Sequence, residues 1–160
     1  MARTTTEHTI VHKSADPHGV VRLEAIGTAA IMPGQLLEME SNEYVQKHSA
    51  AGAASAKLVA LENQTPDTHT YPTTAAIDIP YDSGDTVYYT QASPGDVLNM
   101  WIASGQNVSK GIDWLIPDGA GRLTSCGTGV SVGTSNPIGV PAEDANASGG
   151  TAIRCLVRIV

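Results

Sequence analysis

The first residues to weigh for chemistry are Gly129-Val130-Ser131-Val132-Gly133, which fit the G-x-S-x-G pattern of a hydrolase nucleophile elbow. That chemistry needs a strand before the serine and a helix after it, whose first amides support an oxyanion. Here Thr-Ser-Asn-Pro-Ile-Gly-Val-Pro follows, and two prolines within eight residues bar that helix. His8 and His12 stand four apart, a metal-binding spacing on a helix. Their Thr-rich, β-branched surroundings predict extended chain instead, which would hold the imidazoles roughly 13 Å apart. His18, His48 and His69 are scattered singly. Asp82, Asp85, Asp96, Asp113, Asp118 and Asp144 mostly neighbour Gly or Pro, which predicts turn caps that accept backbone N–H bonds. No run of the D-x-D-x-D-G kind occurs, so no calcium loop is expected. Cys126 and Cys155 lack C-x-x-C spacing and are expected as reduced thiols. P-loop, dinucleotide-binding and zinc-protease motifs are also missing, and the expectation is a protein without catalytic, cofactor or metal residues.

The elements that would position any site read as short strands. Of the 160 residues 16 are Gly and nine are Pro, and Phe is missing altogether. The recurring bulky residues are Val, Ile, Thr and Tyr, which favour a pleated, half-buried surface. Apolar runs at 20–26, 31–39, 43–48, 57–61, 77–81, 86–90 and 97–103 alternate with turn signals such as Pro33-Gly34, Asp82-Ser-Gly-Asp85 and Ser93-Pro-Gly-Asp96. Turns every 8–12 residues predict an all-β domain of short antiparallel strands, closed as a barrel or paired as a sandwich. No amphipathic helix of 12 or more residues is visible, which argues against α/β nucleotide-binding folds. The last ten residues, Thr151–Val160, place Ile153, Cys155, Val157 and Ile159 on one face of a final strand. The Ala-rich stretch 49–56 is read as a surface loop, and the polar, Pro-containing 63–76 as the longest one.

A weak internal repeat runs through this pattern. The segment Pro33-Gly-Gln-Leu-Leu-Glu-Met, then Glu-Tyr-Val, then Lys57-Leu-Val-Ala-Leu-Glu-Asn63 has a counterpart in the second half. There Lys110-Gly-Ile-Asp-Trp-Leu-Ile leads to Gly-Arg-Leu-Thr and to Pro137-Ile-Gly-Val-Pro-Ala-Glu-Asp144. Two similar β-units on a shared core would account for it. Residues 1–18 lack a periodic apolar face and are expected as an extended arm, with the β-rich domain over 19–160.

The charge balance bounds the partners. A net charge of −7 with nine Lys and Arg is a poor basis for gripping nucleic acid or an anionic membrane surface. No apolar stretch approaches a membrane span, and the first residues lack the apolar core of a signal peptide, so nothing marks the chain for secretion.

In order along the chain, Ile31-Met-Pro-Gly-Gln-Leu-Leu, Val59-Ala-Leu-Glu-Asn63, Tyr81-Asp-Ser-Gly-Asp-Thr-Val87, Pro94-Gly-Asp96 and Ala103-Ser-Gly-Gln-Asn-Val-Ser-Lys-Gly111 resemble the small capsid decoration (cement) proteins of tailed bacteriophages. Gly119-Ala-Gly-Arg-Leu123 and Pro137–Asp144 continue the likeness, which covers about residues 25–160. The Ala-rich loop and the long polar loop depart from the family's tighter pattern. The resemblance implies a homotrimer on the outer capsid surface of the virion, made in the host bacterial cytoplasm and partnered by the major capsid protein. It implies no cofactor and no catalysis. An arm suited to lying beside a capsid strand makes Arg3, Thr4, Thr5, Thr6, His8, Ile10 and Val11 the expected capsid contacts. The rival expectations are another phage structural module, such as a head-fibre base or tail component, or a small carbohydrate-binding module using Trp101 and Trp114.

Overall fold

In a computed structural model the structure describes residues 9–64, 75–128 and 136–160. It is all-β, as the turn spacing predicts. Five strands form the first closed barrel: β2 (Leu23–Gly27), β3 (Leu36–Met39), β4 (Tyr44–Lys47), β5 (Leu58–Ala60) and β6 (Thr86–Gln91). They lie in the order β2-β4-β3-β5-β6. Side-chain alternation fills the barrel: Ala25, Leu37, Val45, Leu58, Ala60, Val87 and Tyr89 form its core. Leu36 and Val59, one residue out of phase, point the other way and join the second core.

The second half repeats the plan with β7 (Val97–Ile102), β9 (Leu115–Pro117), β10 (Leu123–Ser125), β11 (Gly139–Pro141) and β13 (Ile153–Ile159). Because β7 pairs with both β10 and β13, the order β7-β10-β9-β11-β13 also closes on itself. The registers agree as well as the order. Leu23 pairs with Tyr89 as Leu98 pairs with Val157, and Gly27 with Val45 as Ile102 with Leu123. Leu37 faces Lys47 and Leu58 as Leu115 faces Ser125 and Gly139. Ala60 opposes Tyr89 as Pro141 opposes Val157. In each ring the first and third strands are parallel and the other pairs antiparallel. Even the bridge between Ile31 and Tyr81 has a counterpart, the ribbon of β8 (Asn107–Val108) with β12 (Ala145–Asn146). The repeat seen in the sequence is therefore a repeat of topology.

The acidic turn residues behave as their neighbours predict. Asp85 accepts the Asp82 N–H at 2.7 Å, Asp113 the Ser109 N–H at 2.6 Å, and Asp144 the Lys110 N–H at 2.8 Å. Asp118 accepts from the N–H groups of Ala120 and Arg122 and from the Arg122 guanidinium. One expected strand is absent: Ala76–Asp78 forms a 3-10 turn instead, with Ile77 buried beneath it. The Ala-rich loop lies on the surface, pinned by a Gly52 N–H bond to Pro117 and an Asn136 side-chain bond to the Gly52 carbonyl.

The two rings meet at the Pro33-Gly34 turn. The Pro33 carbonyl accepts the Trp101 indole N–H at 2.9 Å, and the Gly34 carbonyl accepts the Trp101 backbone N–H. Arg154 stacks over the Trp101 ring at 4.4 Å, pairs with Asp78 at 2.6 Å, and donates to the carbonyls of Pro33 and Ile77. Gly34 holds φ +87°, and a Cβ there would lie 2.6 Å from the Asn99 carbonyl oxygen. Both the left-handed backbone and the backbone clash oppose any side chain. Gly34→Ala is expected to cost about 2–4 kcal/mol in urea unfolding, since steric overlap adds to the dihedral penalty. A variant as stable as the parent would mean that the turn does not join the rings.

Candidate functional site

Among the described residues, the expected N-terminal arm is represented by residues 9–18. Its first part belongs to the sheet. Ile10 is wholly buried, its N–H donates to the Glu62 carboxylate, and its carbonyl accepts the Asn99 N–H at 2.7 Å. β1 (Val11–Lys13) then pairs antiparallel with β7, Val11 opposite Leu98 and Lys13 opposite Val97 with a bulge between. This strand occupies the part of the β7 edge that β10, paired at Ile102, does not reach.

Beyond β1 the segment is tied by carboxylates. Buried Asp96 accepts the Ala15 N–H at 2.7 Å and the Ser93 N–H at 2.8 Å, so one residue shapes the turn between the rings and holds the incoming chain. Asp16 accepts the His18 N–H at 2.8 Å. Between this segment and the first barrel lies a cleft of about 370 Å³, lined by Ser14, Asp16, Val20, Val21, Gln91 and Asp96 among others. Its walls carry the carboxylates of Asp16 and Asp96 beside the polar side chains of Ser14, Gln91 and Ser93, and both carboxylates accept backbone N–H groups.

The candidate contact residues thus divide. Arg3, Thr4, Thr5, Thr6 and His8 lie outside the described residues. Ile10 and Val11 are engaged within the chain itself, Ile10 in the core and Val11 half-buried against it. Gly129–Gly133, with Ser131, also lies outside the described residues, as does His69. His12 sits in extended β1, in keeping with the expected geometry.

Other groups that drew attention in the sequence are spoken for locally. Trp101 has one indole face under Arg154 and its N–H on the Pro33 carbonyl. Trp114 is half-buried, and its carbonyl accepts the Cys126 N–H. Cys126 is a free thiol, and Cys155 lies in the core. Among the described residues no three His, Cys, Asp or Glu side chains converge as a metal site.

Two titrating groups are displaced. Burial pushes the Tyr81 hydroxyl well above the usual phenol range, and it serves as a donor to the carbonyls of Leu61 and Glu62. For Glu38, burial acts upward, but hydrogen bonds from Ser49 and Gln46 and the nearby His48 together hold its carboxyl below the usual range. Both groups serve the packing of the first barrel.

Sequence reasoning missed Glu62 as the anchor of the N-terminal strand and Arg154 as the hinge pin between rings. Arg154 alternates with apolar residues in the last strand, so it reads as a solvent-facing position until the partner ring is placed over it.

No family model matches the chain, and no curated protein matches it. Among solved structures, the N base of head fibre gp8.5 of bacteriophage phi29 is similar, with a TM-score of 0.46 and 16 % identity. That similarity covers 89 % of this chain and 98 % of that one.

Proposed function

We propose that this chain is a non-enzymatic structural protein of a tailed-phage virion, which binds the outer surface of the assembled capsid as a homotrimer and stabilises the shell. The observation that carries this reading is the ordered set of motifs shared with capsid decoration proteins. Those motifs fall on the strand ends and turns that build the two rings. The use of the turn carboxylates as backbone caps, and of Trp101 as a joint, fits a scaffold whose polar groups serve its own structure.

The physical logic follows from linkage. A protein that binds the assembled lattice and not free subunits shifts the equilibrium toward the lattice. Three copies bridging neighbouring capsomers gain further, because each contact raises the effective concentration of the next. Arg3, Thr4, Thr5, Thr6 and His8 are the proposed capsid contacts, with β1 and Ile10 as the anchor that fixes where they leave the domain.

Labelling the protein on intact particles tests the placement. Signal over the whole head supports decoration. Signal confined to a fibre position or to the tail would replace it with a head-fibre base or tail component.

A further inference from the structure

At one end of the first ring a sulfur meets a hydroxyl. Met39 is the last residue of β3 and stands opposite buried Val45, so its side chain turns to the inner side of the barrel. There its Sδ accepts the Tyr89 hydroxyl at 3.8 Å. Tyr89 belongs to the core of the ring, is 7 % exposed, and lies between Leu23 on β2 and Ala60 on β5. A thioether is a weak acceptor, so this nearly buried hydroxyl is held by less than a full hydrogen bond.

Among the described methionines, Met39 is the exposed one. It is 41 % exposed against 0 % for Met100 in the second core, and Met32 is half-buried before the Pro33-Gly34 turn. One side chain thus combines an accessible sulfur with a buried donor aimed at it. Oxidation at that sulfur creates the oxygen acceptor that the donor lacks. With the sulfur left in place, an oxygen one S–O bond out and bent toward the ring falls about 2.8 Å from the Tyr89 oxygen, the commonest O–H···O length. The rotatable bonds of the methionine let that oxygen turn from the solvent side, where a peroxide arrives, to the hydroxyl.

We propose that Met39 is a modification site for hydroperoxides, and that the Tyr89 hydroxyl receives the sulfoxide it forms. The sulfur gives an electron pair to one peroxide oxygen. The S–O bond forms as the O–O bond breaks, and with hydrogen peroxide the second oxygen takes up the remaining proton and leaves as water. The sulfur is oxidised by two electrons and the peroxide is reduced. A sulfoxide is polar and ordinarily disrupts the apolar packing around it. Here it replaces O–H···S with O–H···O at the rim of the barrel, so the end of the ring stays closed. The site does not depend on capsid binding.

The test treats the full chain with hydrogen peroxide and reads sulfoxide by peptide mass spectrometry at Met32, Met39 and Met100. Met39 is expected to react first, roughly tenfold or more ahead of Met100. Thermal unfolding then compares the reduced and oxidised forms. The parent Tm is expected to hold within ~1 °C. In Tyr89→Phe, where the new oxygen meets no donor, oxidation is expected to lower Tm by about 2–4 °C. Adding Met39→Leu to that variant is expected to abolish the fall, which assigns it to this sulfur. If Met39 reacts no faster than Met100, the site is wrong. A fall in the parent beyond about 2 °C overturns the proposal without recourse to any variant. Equal shifts in the parent and in folded Tyr89→Phe, whether zero or large, overturn the role of the hydroxyl.

Discussion

Ile10→Ala is expected to lower stability by about 3 kcal/mol, within the 2–5 kcal/mol range for emptying a fully buried isoleucine site. Ile10 is 0 % exposed and packs with residues of both rings, including Leu36 and Leu98, so little space around it can collapse to refill the cavity. For a domain of this size, that loss corresponds to a fall in Tm of roughly 6–12 °C. Thermal unfolding followed by circular dichroism reads it directly. A shift of under 2 °C would mean that the N-terminal segment does not belong to the core. The consequence for function is practical. Removing residues 2–14 would delete Ile10 and β1 together, and any loss of capsid binding would be confounded by loss of fold. Removing residues 2–8 leaves both in place, and it is that variant which isolates Arg3, Thr4, Thr5, Thr6 and His8.

Arg154→Met is expected to cost about 2–4 kcal/mol in urea unfolding, because the guanidinium is mostly buried and joins several groups at once. It donates to the carbonyls of Pro33 and Ile77, pairs with Asp78, and stacks on Trp101. The pairing with Asp78 is the smaller part. That carboxylate is 46 % exposed, and solvent screening holds a pair of this kind to about 0–1 kcal/mol. Asp78→Asn should therefore cost under about 1 kcal/mol, while Arg154→Met leaves the Ile77 carbonyl short of a donor and uncovers the Trp101 ring. Equal effects from the two variants would place the energy in the ion pair and contradict the account of a joint built on the Pro33-Gly34 turn. Trp101 fluorescence supplies a second reading, since its indole should become more exposed to solvent in Arg154→Met alone.

The strands were legible because their signals are local. Alternation over Thr86–Gln91 and Ile153–Ile159, and the Pro-Gly turn at 33–34, depend on residues within a few positions of one another. Their assembly into two closed rings was visible only as a faint repeat, because closure depends on pairings such as Leu98 with Val157 that span most of the second half. Ala76–Asp78 read as a strand because Ile77 and Ile79 alternate with Asp78. A single buried isoleucine satisfies a one-turn 3-10 helix equally well. The N-terminal segment misled for the opposite reason: β1 is three residues long, too short for a period to show. The charged anchors were the least legible, since Glu62 and Arg154 look like ordinary surface residues, and Asp96 only like a turn cap, until the partner backbone lies against them.

The central claim, that this chain recognises an assembled capsid lattice, is met most directly by cosedimentation. The full protein is mixed with assembled tailed-phage capsids and, separately, with unassembled capsid protein, and the bound fraction is measured to saturation. The account predicts saturable binding to the assembled shell, none to free subunits, and loss of binding on removing residues 2–8. Equal binding to free subunits, or no binding to the shell, would contradict it.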